Sequence, residues 1–528
     1  MRLATVLLLS LLACADGVAA AELRCSGRVF LDHDGDGRRD RGEPGIADVG
    51  VSDGERILRT DAAGRFDFRV ADGRSVFLVK PAGYSTRLRP DGLPDTWRNL
   101  QRGRGPSLKY GGVSAQSRPA CGDFALRRGA ARGSAHLEVH VSGDPQVKSP
   151  RDVDFYRRDI IEPLTGEPRA NLAITLGDIV NDDLSLFPAI KAVDARLGAP
   201  WLHAPGNHDI DFDADDANSL STFRHAFGPD TYAWEEPEAA FVILDDVIWQ
   251  GGAKSNYIGG LRPDQFAFLE SYLARAPKDR LLVLAMHIPL FDPVPGVETF
   301  RRADRERLFA MLRPFPKLLL LSAHTHQQMH VFHDASTGWH GATPLHEYNV
   351  GAACGAYWSG VEDALGIPDS TMNDGTPNGY ARLRVGMDGQ PRLRYYVARA
   401  PHAQQMTVHA PKVLRKGGYP AYGVYANVYM GHAGTAVDFR VDGGEWKPMR
   451  RVEIPDPALR TENARDDMAD SLRGFDRSPE AVDSRHLWRG TLPTDLPAGS
   501  HRVEIRAQLE GGEARGEANY RLDEAAPG

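Results

Sequence analysis

Residues 172–182 read LAITLGDIVND, a mostly apolar run that passes directly into a glycine, two aspartates and an asparagine. Such a short run is typical of a strand buried on both faces, and the polar residues then fall at its carboxyl end. Similar runs occupy 241–244, 281–286 and 318–321, with a more mixed strand candidate at 136–141. In residues 264–276 apolar side chains recur at three- and four-residue spacing, which predicts a helix. Strands that alternate with helices predict a layered α/β core.

Five polar clusters punctuate this core region, and four of them closely follow a strand candidate. The clusters are Asp144-Pro145-Gln146, Gly177-Asp178-Ile179-Val180-Asn181-Asp182, Gly206-Asn207-His208-Asp209, His287 and His324-Thr325-His326. The cluster at Gly206 follows only the brief apolar run Trp201-Leu202. Open α/β sheets bind ligands in the crevice beyond the carboxyl ends of their strands. Five metal-competent clusters that converge there indicate a functional site rather than packing.

The residue types in these clusters suit a pair of divalent ions about 3.5–4 Å apart, bridged by one carboxylate and flanked by imidazole and oxygen ligands. Asp178 is the predicted bridge. Asp144 and His326 suit one ion, and Asn207, His287 and His324 suit the other. A water or hydroxide held by the ions would attack phosphorus. His208 would donate a proton to the leaving group or stabilise its charge, and Asp209 is the predicted partner that orients His208.

The ordered set resembles the calcineurin-like metallophosphoesterase superfamily, whose pattern runs D-x-H, G-D, G-N-H-D/E, H and G-H-x-H. The resemblance implies a four-layer α/β sandwich core, a dinuclear Mn, Fe or Zn centre, and hydrolysis of phosphate esters. It also implies the ligand roles given above for these positions.

Two positions depart from that pattern: Gln146 replaces a histidine and Ala323 replaces a glycine. A glutamine carbonyl ligates more weakly than imidazole and shifts the site toward oxygen-preferring ions such as Mn or Mg. A branch of the superfamily with Asp-Pro-Gln in the first motif looks similar, so Gln146 is still expected to be a metal ligand. Alanine at 323 is a small change.

The regions on either side of the core have strand-like alternation between turn signals, which predicts two all-β sandwich domains. We expect a signal peptide at 1–21, an N-terminal β-sandwich at 22–130, the metallophosphoesterase core at 131–400 and a C-terminal β-sandwich at 401–528. Four short stretches resemble modules of exported bacterial members of the superfamily: 374–380, 427–429, 484–488 and 499–501. The charged stretch 456–485 has little periodicity and is predicted to be a long surface loop.

Residues 32–43 read DHDGDGRRDRGE and fit the calcium-loop pattern D-x-[DN]-x-[DN]-G-x5-E in full. The candidate calcium ligands are Asp32, Asp34, Asp36, Asp40 and Glu43. A β-type run precedes the loop, so it is not an EF-hand; it resembles the calcium loops of B-type repeats in bacterial surface proteins. The alternative is a solvated acidic turn.

The N-terminus has the features of an export signal: Arg2, a short apolar run at 7–12 and an alanine cleavage zone at 19–21. Leu11-Leu12-Ala13-Cys14 also fits a lipoprotein processing box, which leaves a lipid anchor at Cys14 as the alternative to a periplasmic or secreted protein. No later run reaches the roughly 18 apolar residues that a membrane span needs. In an oxidising compartment Cys25 and Cys121 are the expected disulfide pair, and Cys354 is an expected buried thiol.

The chain has a net charge of −8, whereas a general nucleic-acid binder has a basic surface. No nucleic-acid partner is therefore expected. The predicted function is metal-dependent hydrolysis of a phosphomonoester or phosphodiester, either a small molecule or a component of the cell envelope. Two alternatives remain open. One is a non-catalytic extracytoplasmic binding protein on this scaffold, and the other is a nuclease.

Overall fold

The computed structural model describes residues 22–129, 136–168, 170–294 and 296–524. The signal peptide expected at 1–21, with Cys14, lies outside these described residues. None of the helices within the described ranges is long and apolar enough to cross a membrane.

The described part of the N-terminal region contains eight strands. They are β1 (Glu22–Leu31), β2 (Gly50–Ser52), β3 (Ile57–Arg59), β4 (Arg65–Ala71), β5 (Ser75–Val79), β6 (Tyr84–Thr86), β7 (Trp97–Asn99) and β8 (Phe124–Arg128). They form two four-stranded sheets, in the orders β4-β1-β8-β6 and β3-β2-β5-β7. Alternate residues of β4 are buried, because successive side chains of a strand point to opposite faces. Cys25 and Cys121 form a disulfide with their Cα atoms 5.3 Å apart, which confirms the expected pair.

The middle region alternates strands and helices, as the sequence predicted. Its elements are β9 (His136–Ser142), α1 (Pro150–Tyr156), α2 (Glu162–Thr165), β10 (Leu172–Leu176), α3 (Phe187–Asp194), β11 (Trp201–Ala204), α4 (Ser221–Phe227), β12 (Tyr232–Glu235), β13 (Ala239–Ile243), β14 (Val247–Trp249), β15 (Tyr257–Gly259), α5 (Pro263–Leu273), β16 (Leu281–Ala285), α6 (Arg302–Leu312), β17 (Leu318–Ser322), β18 (Met329–His333), β19 (Leu345–Asn349), β20 (Gly379–Gly386) and β21 (Pro391–Val397). A π-helical segment, Arg157–Ile161, joins α1 to α2, and 3-10 turns occur at Leu184–Leu186, Ala195–Leu197, Asp216–Asn218 and Ala335–Thr337.

Two sheets organise this region. One has the order β11-β10-β9-β20-β21 and the other the order β12-β13-β16-β17-β19-β18. Strands β9, β10 and β11 are parallel, as are β13, β16, β17 and β19. Every residue of β10, β13 and β16 is buried, which explains their almost wholly apolar sequences. The brief run Trp201-Leu202 does begin a strand, β11, and the predicted helix is α5.

The C-terminal region contains nine strands and one helix. They are β22 (Met406–His409), β23 (Val413–Arg415), β24 (Gly423–Val428), β25 (Val437–Val441), β26 (Lys447–Pro448), β27 (Arg450–Pro455), α7 (Pro457–Asp467), β28 (Asp483–Thr491), β29 (Gly499–Leu509) and β30 (Gly512–Asp523). Two sheets result, in the orders β22-β24-β28-β27 and β23-β30-β29-β25-β26.

Helix α7 corrects the prediction of a long loop over 456–485. Asp456 caps it by accepting hydrogen bonds from the Ala458 and Leu459 backbone amides at 2.8 and 3.0 Å, and Pro457 occupies the first helical position. Leu459 is the one buried residue of the helix, so its sequence carries no apolar periodicity.

Candidate metal centre

The five polar clusters lie just beyond the carboxyl ends of five parallel strands. Asp144, Asp178 and Asn207 follow β9, β10 and β11 in the first sheet, while His287 and His324 follow β16 and β17 in the second. Contacts among these side chains place all five clusters at one site, where the ends of the two sheets meet.

Asp178 lies between the two predicted groups of ligands. Its Oδ2 is 3.2 Å from the Gln146 side-chain nitrogen and 3.3 Å from His287 Nε2. Its Oδ1 accepts a hydrogen bond from the His208 backbone amide at 2.9 Å. A carboxylate in this position can bridge two cations. The Gln146 amide donates here, and a flip of that amide would present its carbonyl oxygen to an ion instead.

The second group of ligands is compact. His287 Nε2 is 3.0 Å from Asn207 Oδ1 and 3.1 Å from His324 Nδ1. His287 Nδ1 lies 2.9 Å from the Leu176 carbonyl oxygen, so it donates its proton there and leaves Nε2 for a metal. Asp178, His287 and His324 each present one donor atom within 4.8 Å of the others, so these three side chains could hold a single ion.

The first group has an unsatisfied buried oxygen. Asp144 is fully buried, and its Oδ1 has no hydrogen-bond partner in the described part of the chain. His326 Nε2 is 3.7 Å from that oxygen, and His326 Nδ1 is 2.7 Å from the Gly355 carbonyl oxygen. A buried carboxylate oxygen without a partner is costly, and a cation between Asp144 and His326 would satisfy it.

The protonation equilibria of these groups also fit a cation. Burial, with the nearby charge of Asp178, raises the pKa of Asp144 to about 8. Burial lowers the pKa of His324 to about 3 and that of His326 to about 4, so both imidazoles are neutral donors at pH 7. Burial alone would lower the pKa of His287, but the Asp178 carboxylate raises it to about 10. An imidazolium therefore supplies the positive charge that bound metal would supply.

Backbone strain is concentrated at this site. The φ angles of Asp144, Gln146, Asp178, His324 and His326 are 41°, 39°, 47°, 69° and 52°, all in the left-handed region that such residues rarely adopt. Strained conformations of this kind persist at sites where the surrounding structure holds functional groups in place. A Cβ atom at Gly206 would lie 2.2 Å from the Asp178 backbone nitrogen, so only glycine fits there.

His208 has a different partner from the one expected. Its Nδ1 is 2.6 Å from Asp182 Oδ1, and Lys254 Nζ donates to the other Asp182 oxygen at 2.8 Å. Burial alone would lower the pKa of His208, but the charges of Asp178 and Asp182 raise it and so favour the protonated ring. The sequence signal for Asp182 was its place in the cluster that begins at Gly177, whereas Lys254 stands in no motif.

Asp209 does not orient His208. It is fully buried, and its carboxylate accepts backbone N–H groups from Ile179 and Val180 at 3.1 Å and from Gly206 at 2.9 Å. Asp209 thus ties the loop after β10 to the loop after β11, and it positions the site through the backbone.

Asp246 is a buried acid that the sequence interpretation missed. Its Oδ1 accepts the His287 backbone amide at 3.2 Å, and burial raises its pKa to about 8. Asp245 and Asp246 directly follow the apolar run 241–244, which is the same signal that marked the other clusters.

Two aromatic rings lie beside the ligands: the Tyr257 centroid is 6.0 Å from the His324 ring, and that of Tyr357 is 4.6 Å from the His326 ring.

The acidic loop of the N-terminal region forms a separate candidate site. Asp32, Asp34 and Asp36 present oxygens within 4.8 Å of one another. Asp32 accepts the Gly35 and Gly37 backbone amides at 2.6 and 3.1 Å, and Glu43 accepts those of His33 and Asp40 at 2.8 and 2.9 Å. The Glu43 carboxylate therefore hydrogen-bonds to the backbone of the loop itself. Asp40 takes part in this contact through its backbone amide.

Two sheets whose strand ends present a carboxylate between two groups of imidazole and oxygen donors are suited to metal-assisted hydrolysis. The chain belongs to the calcineurin-like phosphoesterases. Residues 139–328 match the model for the calcineurin-like phosphoesterase domain, 33–109 the model for its N-terminal part and 347–514 the model for its C-terminal part.

Two curated proteins are similar to part of the chain. A probable glycerophosphodiester phosphodiesterase, GpdQ, of Arcobacter nitrofigilis is 25% identical over 36% of this chain and 72% of its own length. A 3',5'-cyclic adenosine monophosphate phosphodiesterase, CpdA, of Pseudomonas aeruginosa is 28% identical over 42% of this chain and 73% of its own length. A solved dimetal phosphatase from Danio rerio aligns with 49% of this chain and 99% of its own, at 14% identity and a TM-score of 0.33.

Proposed function

We propose that the chain hydrolyses a phosphate ester outside the cytoplasm at a two-metal site. The proposed ligands are Asp144, Gln146, Asp178, Asn207, His287, His324 and His326. One observation carries the proposal: the Asp178 carboxylate lies within 3.3 Å of side chains from both groups of ligands. A carboxylate with a purely structural role would not need these imidazole and oxygen donors around it.

Two divalent ions in this site would supply a Lewis-acid clamp on the phosphoryl oxygens and activation of water. The protein's own contribution to bond cleavage is at His208. Because Asp182 accepts from Nδ1, the Nε2 atom of His208 is the one that donates a proton to the leaving oxygen. Lys254 holds Asp182 from the other side and so fixes the orientation of the ring.

The two curated relatives are named phosphodiesterases, which favours a diester as the substrate class. A small diester and a cell-envelope diester share the same phosphate chemistry. Gln146 in place of a histidine favours Mn over Zn or Fe at the ion that it shares with Asp144 and His326.

The first test combines metal analysis with hydrolysis of p-nitrophenyl phosphate and bis-p-nitrophenyl phosphate. We expect about two transition ions per chain, activity on the diester, and loss of activity in Asp178→Asn. Asp183→Asn, one residue beyond Asp182, is a matched control for the removal of a carboxylate. A protein that holds no transition ion and cleaves neither ester after Mn or Zn is added would instead be a binding protein on this scaffold.

The domain organisation and the location are part of the same proposal. Helices join β9 to β10 and β10 to β11 in the first sheet, and β13 to β16 and β16 to β17 in the second, which supports a four-layer core with helices on the outer faces. All-β domains would flank it at 22–130 and 401–528.

The Cys25–Cys121 disulfide supports an oxidising compartment. Mass spectrometry of the mature N-terminus separates cleavage near Ala21 from lipidation at Cys14.

Structural calcium in the N-terminal loop completes the proposal. The three clustered aspartates and the turn at Gly37, whose φ is 77°, support it. Calcium should raise the melting temperature of the wild type but not that of Asp34→Asn with Asp36→Asn. An equal effect on both proteins would leave the loop as a solvated acidic turn.

A further inference from the structure

We infer that His330, His346 and His432 form a further cation site, for a borderline transition ion such as Zn²⁺ or Ni²⁺. The site lies in a cavity of about 160 Å³ between the β18–β19 hairpin and the turn that joins β29 to β30. The residues that line this cavity include none of the proposed ligands of the catalytic centre. The inference does not depend on the proposed function.

The central observation is a close pair of imidazoles. His330 Nδ1 and His346 Nε2 are 2.9 Å apart. Two nitrogens on one tetrahedral zinc ion, each at about 2.0–2.1 Å, are about 3.3 Å apart, so a small separation of the rings would admit the ion.

The sheet holds both rings in place. His330 lies opposite Tyr348, and Phe332 lies opposite His346, in the antiparallel pairing of β18 with β19. The His330 ring stacks on Tyr348 with centroids 4.8 Å apart, and the His346 ring stacks on Phe332 at 4.7 Å. Rings that are fixed by packing lose little further freedom when they bind an ion.

His432 brings a third imidazole from the C-terminal region. Its ring must turn toward the pair to share an ion with it, because the donor atoms of the three rings do not all lie within 4.8 Å of one another. Its ring centroid is 5.8 Å from that of His330 and 5.3 Å from that of Phe332. The Gly434 backbone amide donates to His432 Nδ1 at 3.2 Å. Ligation through Nε2 would move the ring proton to Nδ1 and give up this long hydrogen bond. Glu510 also lines the cavity, and its negative charge acts on His432.

The chemistry of these donors selects the ion. Imidazole nitrogens favour Zn²⁺, Ni²⁺ and Cu²⁺ over Ca²⁺ and Mg²⁺. Burial and the neighbouring histidines keep the pKa values of His330 and His346 below their ordinary range, so protons do not compete for them at pH 7. A bound ion would join the hairpin that follows His326 to the C-terminal region, and it should therefore stabilise both against unfolding.

The test is a count of bound ions with a stability measurement. Full-length protein is stripped with a chelator, then titrated with Ni²⁺ by calorimetry and by elemental analysis after desalting. We expect the wild type to bind one more ion per chain than His346→Gln or His432→Ala, and its melting temperature to rise more with Ni²⁺ than theirs. His340→Ala, which removes an exposed histidine outside the cavity, should behave like the wild type.

Two variants keep the outcome decisive. If His346→Gln does not fold, His432→Ala changes a loop residue and leaves the hairpin intact. An equal number of ions and an equal thermal shift in the wild type, His432→Ala and His340→Ala would overturn the inference. The esterase assay is independent, because the residues that line the cavity include none of the proposed catalytic ligands.

Discussion

Asp182→Asn isolates the acid-catalytic part of the proposed mechanism. The substitution keeps an oxygen next to His208 Nδ1 but removes the negative charge that sits 2.6 Å from it. A hydrogen bond to a charged group contributes about 1.5–3 kcal/mol, so its loss corresponds to roughly a tenfold to hundredfold fall in kcat. The metal content should not change, because Asp182 contacts His208 and Lys254 rather than any proposed ligand.

The dependence on the leaving group makes this prediction specific. An alkyl or phenyl leaving group needs a proton as the bond to phosphorus breaks, whereas p-nitrophenolate needs it much less. Asp182→Asn should therefore slow phenyl and alkyl esters far more than p-nitrophenyl esters. Asp183→Asn removes the same charge one residue away and should leave both rates near those of the wild type. An equal loss for all leaving groups, or the same loss in Asp183→Asn, would refute the assignment of Asp182 and His208 to proton transfer.

Three further predictions concern a glycine at the site, two buried histidines and the N-terminal disulfide. Gly206→Ala should abolish activity and metal retention while the protein stays folded by circular dichroism, because the new Cβ would lie 2.2 Å from the Asp178 backbone nitrogen. The buried rings of His140 and His203 have pKa values lowered to about 3 by burial, so they are neutral when folded. The free energy of unfolding, measured in urea, should thus decline as pH falls from about 6.5 toward 3, since the unfolded chain binds these protons first; His140→Phe should flatten that decline. Reduction of Cys25–Cys121, which closes a loop of 96 residues, should destabilise the N-terminal region by up to about 4–5 kcal/mol, measured by unfolding with and without dithiothreitol.

The sequence predicted which candidate ligands lie together, because these residues directly follow strands. A buried strand is recognisable as an apolar run, and the residue two positions beyond its end has little freedom to be elsewhere. Asp178 after β10 and His287 after β16 illustrate this, since both follow runs in which every residue is buried. The close approach of the two sheets then brings these strand ends together without any further information from the loops.

Helix α7 was not predictable in the same way. Its one buried residue is Leu459, and its stability comes from the Asp456 cap and from Pro457 rather than from an apolar stripe. A cap followed by proline is a local signal, and within a charged segment of 30 residues it is easily read as a turn.

His208 pairs with Asp182 rather than with the adjacent Asp209. Adjacency in sequence therefore did not predict this contact. Asp209 follows His208 directly, but the tight turn after Gly206 sends its carboxylate back toward the amides of Ile179 and Val180. The left-handed φ of Asp182, at 70°, instead places its carboxylate beside the His208 ring. Both outcomes depend on loop backbone angles that apolar periodicity does not encode. A conservative Asp209→Asn change should therefore lower stability and metal retention together, whereas Asp182→Asn should affect the rate alone.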